Sequence, residues 1–260
     1  DEICEALENL GGDIREQYLR IGSRFSTAER FRGQLLNAQI SGAGNRAELL
    51  EILEPKRIIV STLASFVNNS ELLEIKKIQR LIVDEASQIL EPQLVGLLTR
   101  FEHFVLIGDH RQLPAVTAQA PELTRVDDPD LNAIGLYDLR DSYFERLYRI
   151  CVHHGLHQHY GQLNRQGRMH AEIMDFPNRH FYGGQLQTLA GDDPDDTHYQ
   201  HRPLPAVEGD ALADRLGRRV VFLPVVSTDA LPQQKTAPEE AALIARLVAH
   251  FKKTYQAQGK

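Results

Sequence analysis

Apolar and polar positions along this chain follow two periods, one helical and one extended. Ile3, Leu7 and Leu10 share a helical face, and Gly11-Gly12 ends that run. Tyr18-Leu19-Arg20-Ile21-Gly22 reads as a short strand, and Ser26-Thr27-Ala28-Glu29 has the form of a capping box for a helix carrying Phe31, Leu35 and Leu36. Uninterrupted apolar runs follow at Ile58-Ile59-Val60, Leu81-Ile82-Val83 and Phe104-Val105-Leu106-Ile107. Runs of this kind predict strands buried on both faces of a parallel sheet. The stretch between the first two is long enough for a right-handed crossover. Glu91-Pro92 opens a helix through Arg100 that turns Leu94, Leu97 and Leu98 toward the sheet, with Phe101 closing it.

From Ala118 to about His159 the chain reads as a bridge. It holds an acidic turn, Asp127-Asp128-Pro129-Asp130, and a helix whose apolar contacts are Tyr143, Phe144, Leu147, Tyr148 and Ile150. Further on, Val220-Val221-Phe222-Leu223 predicts a strand. Thr236-Ala237-Pro238-Glu239 caps a helix with Leu243, Ile244, Leu247, Val248 and Phe251 on one face. Strands alternating with helices place the chain in the α/β class.

Composition narrows this only modestly. A length of 260 residues allows one large domain or two ordinary ones, and 42% hydrophobic with 25% charged residues is ordinary for a globular protein. No apolar run approaches the roughly 20 residues that cross a bilayer, so no membrane partner is expected. Cys4 and Cys151 do not form a CxxC pair, which fits a reducing compartment, cytoplasm or nucleus, rather than a disulfide framework. The net charge of −7 gives no global pull toward nucleic acid, yet it leaves room for a local basic groove.

The chemistry gathers at strand ends. Leu81-Ile82-Val83 runs straight into Asp84-Glu85, and two carboxylates there belong at the carboxyl edge of a sheet, where α/β folds place ligands. Asp84 is suited to hold Mg²⁺ through its waters, and Glu85 to polarise a water that attacks a γ-phosphate. An exposed turn can look the same, but a second strand end repeats the arrangement. Phe104-Val105-Leu106-Ile107 leads into Gly108-Asp109-His110-Arg111-Gln112-Leu113-Pro114. Gly108 allows a tight turn there, and Pro114 keeps a helix from starting. The Gln112 amide donates and accepts at once, as a sensor of phosphate and water must. Two such ends in series point to one nucleotide site, with Asp109 and Gln112 joining Asp84.

LIVDEASQ followed by LIGDHRQLPAV resembles motifs II (Walker B) and III of superfamily 1 helicases. The similarity is to the branch of the nonsense-mediated-decay RNA helicase and the Okazaki-fragment nuclease-helicase. Ser142-Tyr143-Phe144-Glu145-Arg146-Leu147 resembles a segment preceding that family's second lobe. Gln162 to His170, with Phe176-Pro177-Asn178 and Phe181-Tyr182-Gly183-Gly184, resembles its motif IV. Gly167 stands where the family usually has Tyr, and Ala171 where it has Pro. The resemblance assigns Arg168 as the arginine that reaches the γ-phosphate, a role suited to a permanently charged planar fork. It also makes Ser61 and Thr62, after Ile58-Ile59-Val60, similar to motif Ib, whose hydroxyls contact the nucleic-acid backbone. A simple helix cap is an equal reading of that pair.

What the resemblance implies is a pair of RecA-like P-loop NTPase lobes with parallel sheets. The expected divisions are a partial first lobe over 1–117, a connector over 118–159 and a partial second lobe over 160–260. ATP and Mg²⁺ are the implied cofactors, bound between the lobes, and single-stranded DNA or RNA the implied partner. No G-x-x-x-x-G-K-[ST] occurs, and the Gly-rich loop Ser41 to Asn45 lacks the lysine of a P-loop. The first lobe is therefore expected without its P-loop strand and the second incomplete, as in the middle of a truncated motor. The alternative is an inactive helicase-like core that binds strands or partners. His153 and His157 have the i, i+4 spacing of metal ligands, but Gly155 weakens a helix and no Cys or carboxylate joins them, so a surface or packing role is expected. The acidic loop Gly191 to Asp196 lacks EF-hand order and reads as solvated.

Overall fold

The computed structural model describes residues 1–189, 200–201, 218–225 and 237–257. The chain divides into two units, Asp1–Tyr160 and Gly161–Lys260. The acidic loop at 191–196 and Thr236 lie outside the described residues. The fold is α/β with small parallel sheets. Among the described residues no helix is long and apolar enough to cross a membrane.

In the first unit, helix α1 (Glu2–Asn9) precedes strand β1 (Tyr18–Ile21), which pairs in parallel with β2 (Ile58–Ser61). Strand periodicity sends alternate residues of β1 to opposite faces. Tyr18 packs with Cys4 and Phe31 on one side, while Leu19 and Ile21 join Leu53, Phe66, Leu72 and Leu97 on the other. Helices α2 (Arg46–Leu53) and α3 (Leu63–Val67) supply Leu53 and Phe66 to that second cluster. β1 is thus covered on both faces.

The second strand pair behaves differently. β3 (Arg80–Val83) lies parallel to β4 (His103–Leu106), with Leu81 opposite Phe104, Ile82 opposite Val105 and Val83 opposite Leu106. Val83 and Leu106 pack with Leu94 and Leu98 of α4 (Glu91–Leu98) and with Tyr143 and Phe144 of α5 (Tyr143–His153). The opposite face is open: Ile82 is 67% and Val105 54% exposed. The expectation of strands buried on both faces is therefore corrected here, because nothing among the described residues packs on the Ile82–Val105 side. β2 and β3 fall in separate two-stranded sheets and do not pair, contrary to a simple crossover between them.

Two further expectations change. Residues 29–36 do not form an α-helix; Glu29–Gln34 is a 3₁₀ turn, followed by a separate helical turn at Leu36–Gln39. Ala28, not the capping-box Ser26, precedes the turn and no side chain caps it; the Ser26 and Thr27 hydroxyls donate instead to the Ser23 carbonyl at 3.2 and 2.8 Å. Leu35 is extended and bridges to Arg20, which breaks the helical path. In the second unit, strands β5 (Arg165–Gln166) and β6 (Gln187–Thr188) pair in parallel beside α6 (Ala171–Phe181). Residues 220–223 are irregular instead of a strand, and Phe222 lies exposed with no strand partner among the described residues. Helix α7 (Pro238–Ala257) forms as expected, but Ile244 and Val248 on its apolar face are exposed.

Candidate active site

The end of β3 is shaped by one backbone exchange. Ile107 N–H donates to the Val83 carbonyl and Ala86 N–H donates to the Ile107 carbonyl, each at 2.8 Å. Between these bonds the chain must loop out over Asp84 and Glu85. Glu85 takes φ 53° and ψ 35°, the only left-handed non-glycine residue among those described. A side chain in that conformation costs about 1–2 kcal/mol, and persists where surrounding bonds over-determine it. The result is two exposed carboxylates at the carboxyl edge of the sheet. Asp84 Oδ1 accepts from Glu85 N–H (3.0 Å), and Glu85 Oε2 accepts from Gln88 Nε2 (2.9 Å). Gln88 therefore orients Glu85, a role visible in sequence only as its spacing three residues on.

The end of β4 sits directly against this loop. A Cβ at Gly108 would lie 2.8 Å from the Ser87 nitrogen and 3.1 Å from its hydroxyl, so only glycine fits. The sequence expectation of a glycine-dependent turn at Gly108 is refined, since the need is close approach and not a left-handed backbone. The same closeness lets Asp109 N–H donate to the buried Ser87 hydroxyl at 3.0 Å. Asp109 then organises its own loop. Its Oδ1 accepts from Arg111 N–H and its Oδ2 from Gln112 Nε2, each at 2.9 Å. Asp84, Glu85, Asp109 and Gln112 thus belong to two neighbouring loops joined through Ser87.

His110 leaves this loop to pack on α5, with its ring 4.9 Å from that of Tyr148. Burial, followed by the nearby Arg111 charge, pulls its pKa below the ordinary imidazole value. α5 is anchored by its own sequence. Ser142 accepts from Glu145 N–H at 3.2 Å as the N-cap, and Arg146 Nε donates to Glu91 Oε2 at 2.8 Å in a two-point pair with the start of α4. A third guanidinium nitrogen donates to the Ile134 carbonyl at 2.7 Å, and the Glu91 pairing holds the Arg146 pKa above its usual value.

Asp84 is the sequence candidate for Mg²⁺. Its exposed carboxylate, with Oδ1 held by a backbone N–H, suits an ion that keeps several waters and takes one or two carboxylates plus phosphates. Among the described residues no group of three or more His, Cys, Asp or Glu side chains could hold a metal ion. His153 and His157 do not share one helix face. α5 ends at His153, Gly155 is left-handed, and His157 instead bonds the Tyr160 hydroxyl at 2.8 Å.

Ser61 ends β2, in the other strand pair, and Thr62 follows it. Ser61 Oγ donates to the Ile21 carbonyl at 3.3 Å, and Thr62 Oγ1 accepts from Ser65 N–H at 3.3 Å as the N-cap of α3. Arg168 lies in the second unit, exposed on a tight loop. Gln166 Oε1 accepts from Arg168 N–H (2.9 Å) and Met169 N–H (2.7 Å), and Gln200, fully buried, donates to the carbonyls of Gln166 (2.8 Å) and Met169 (3.0 Å). The side chain of Leu189 occupies the space a Cβ at Gly167 would need. Asn178 clamps Leu186 through both of its amide atoms, Oδ1 accepting at 2.8 Å and Nδ2 donating at 3.1 Å, across the left-handed Gly183-Gly184 turn. Gln200 carried no sequence signal, because the carbonyls to which its amide donates lie 34 and 31 residues away.

Two family models, each described as an AAA domain, match residues 20–120 and 139–260. DNA polymerase alpha-associated DNA helicase A of Saccharomyces cerevisiae is 33% identical over 107 residues, 40% of this chain and 14% of the relative. DNA replication ATP-dependent helicase/nuclease DNA2 of Homo sapiens is 34% identical over 142 residues, 54% of this chain and 11% of the relative. Probable helicase MAGATAMA 3 of Arabidopsis thaliana is 32% identical over 137 residues, 52% of this chain and 14% of the relative. The chain therefore spans 14% or less of the length of these relatives.

Proposed function

Because the chain belongs to the superfamily 1 helicases, in the branch of the nonsense-mediated-decay RNA helicase and the Okazaki-fragment nuclease-helicase, we propose that it forms the middle of an ATP-driven motor that steps along single-stranded DNA or RNA. The observation that carries this reading is the pair of adjoining strand ends, which present Asp84-Glu85 and Asp109–Gln112 on loops locked by the Ser87–Asp109 bond. In this reading 1–117 and 160–260 are parts of two RecA-like lobes and 118–159 connects them.

Each residue then has a physical task. Asp84 would hold Mg²⁺ through water, and that ion, when bound, would neutralise phosphate oxygens. Glu85, oriented by Gln88, takes a proton from the attacking water. Gln112, steadied by Asp109, senses the γ-phosphate. Arg168 offers a planar positive fork to charge that develops on the transferring group. Ser61 and Thr62 face the strand's backbone, with Thr62 serving also as a cap.

This activity is proposed for the full-length protein, since the 260 residues contain no P-loop pattern and are expected to turn over little ATP by themselves. The test is ATP turnover by the full-length protein with and without single strands, beside Glu85→Gln. Strand-stimulated turnover that falls at least about a hundredfold in Glu85→Gln is expected. A folded protein that binds strands yet hydrolyses nothing would replace the motor with an inactive binding module.

A further inference from the structure

We propose a second contact for an unpaired nucleic-acid strand at the carboxyl ends of β1 and β2, where Arg24 and Arg32 take phosphates and Phe25 stacks a base. The inference rests on the strand-binding reading above and adds residues that no motif in the sequence assigned.

Ligands of parallel sheets bind beyond the carboxyl ends of their strands. Just past Ile21, two adjoining depressions of about 580 and 150 Å³ share Gly22 and Asn37 in their walls. The larger is of the size that small-molecule sites take, about 300–1,000 Å³. Their lining contains Arg24, Arg32 and the amides of Asn37, Asn68 and Asn69, and no carboxylate among the described residues. On a chain with net charge −7, a carboxylate-free basic cleft is a local departure that favours an anion.

The two arginines are available in different ways. Arg32 Nε donates to the Thr27 carbonyl at 3.2 Å, which aims the guanidinium, and its terminal nitrogens make no hydrogen bond or ion pair among the described residues. Arg24 makes no ion pair among the described residues. By contrast Arg20, on β1, is already neutralised by Asp1 at 3.1 Å.

Phe25 turns an anion cleft into a strand site. It follows Arg24 directly and is 98% exposed, the most exposed large apolar side chain among those described. Its N–H donates to Ser23 Oγ at 3.2 Å, fixing the turn that presents it. An exposed aromatic beside a basic cleft is the arrangement that binds unpaired bases by stacking while cations follow the backbone. The site is also continuous with the motif-Ib pair. Ser61 Oγ bonds the carbonyl of Ile21 at 3.3 Å, and Thr62 Oγ1 donates to Ser65 Oγ at 2.9 Å; both Ile21 and Ser65 line the smaller depression.

The test is fluorescence anisotropy of the protein with oligothymidylate, oligouridylate and an abasic sugar-phosphate strand of equal length. Phe25→Ala is expected to weaken both base-bearing strands about tenfold and leave the abasic strand unchanged, with Phe25→Trp restoring binding. Arg24→Gln is expected to weaken all three strands and to lower the salt slope by about one. Preference for oligouridylate identifies RNA as the strand bound, and preference for oligothymidylate DNA; with either, loss of that binding in the two variants supports the site. If Phe25→Ala and Arg24→Gln bind every strand as the unaltered protein does, the site is wrong while strand binding itself stands. If the unaltered protein binds none of the strands, both the site and the reading beneath it fall. Both side chains project into solvent, so circular dichroism is expected to be unchanged in the variants.

Discussion

Glu85 and Gly108 show how single residues are forced by contacts with one another's loops. Glu85 is left-handed because the chain must return Ala86 N–H to the Ile107 carbonyl after only two residues. Gly108 must be glycine because a Cβ there would lie 2.8 Å from the Ser87 backbone nitrogen. Gly108→Ala is therefore expected to destabilise by about 2 kcal/mol, the cost of overpacking against backbone that cannot yield. Urea unfolding measures this, and an unchanged midpoint would show that the loops separate freely. The sequence marked Gly108 as a turn residue and Asp84 and Glu85 as a strand-end pair. It did not mark Ser87, because a buried serine hydroxyl bonding a residue 22 positions away has no local signature.

Among the elements, α5 is the part whose motif acquires a physical account. In Ser142–Leu147 the serine caps the helix, Tyr143 and Phe144 pack against β3 and β4, and Arg146 pairs with Glu91 at the start of α4. Side chains of Arg146 and Glu91 are only 8% and 12% exposed, so removing one partner strands a buried charge. Arg146→Met alone is expected to cost about 3–5 kcal/mol, while Arg146→Met with Glu91→Leu is expected to cost much less. Thermal melts of the two singles and the double decide this; equal losses would mean that packing, not charge, sets the value. β2, β3 and β4 were legible from apolar runs, and α4 and α5 from helical stripes, whereas the run at 220–223 forms no strand and the two-residue β5 and β6 have no apolar run to mark them. The burial of β3 and β4 was misjudged, because an apolar run announces a strand without saying whether a partner covers each face.

At the scale of the whole molecule, the catalytic reading spans both units. Asp84, Glu85 and Gln112 belong to the first and Arg168 to the second. In the full-length protein Arg168→Ala is expected to lower kcat about a thousandfold while leaving strand affinity within about twofold, as for an arginine that acts on transition-state charge. Loss of strand affinity with unchanged kcat would give Arg168 to the nucleic acid instead. By itself the sequence determined the α/β class, the positions of β1 to β4, the carboxylates that follow β3 and β4 and the helicase family, since these follow from short-range periodicity and contiguous motifs. Only the tertiary structure decided which loops touch, that β1 is covered on both faces and β3 on one, and that Arg24, Phe25 and Arg32 adjoin a cleft at the end of β1. Those facts depend on contacts between residues distant along the chain, which no local pattern encodes.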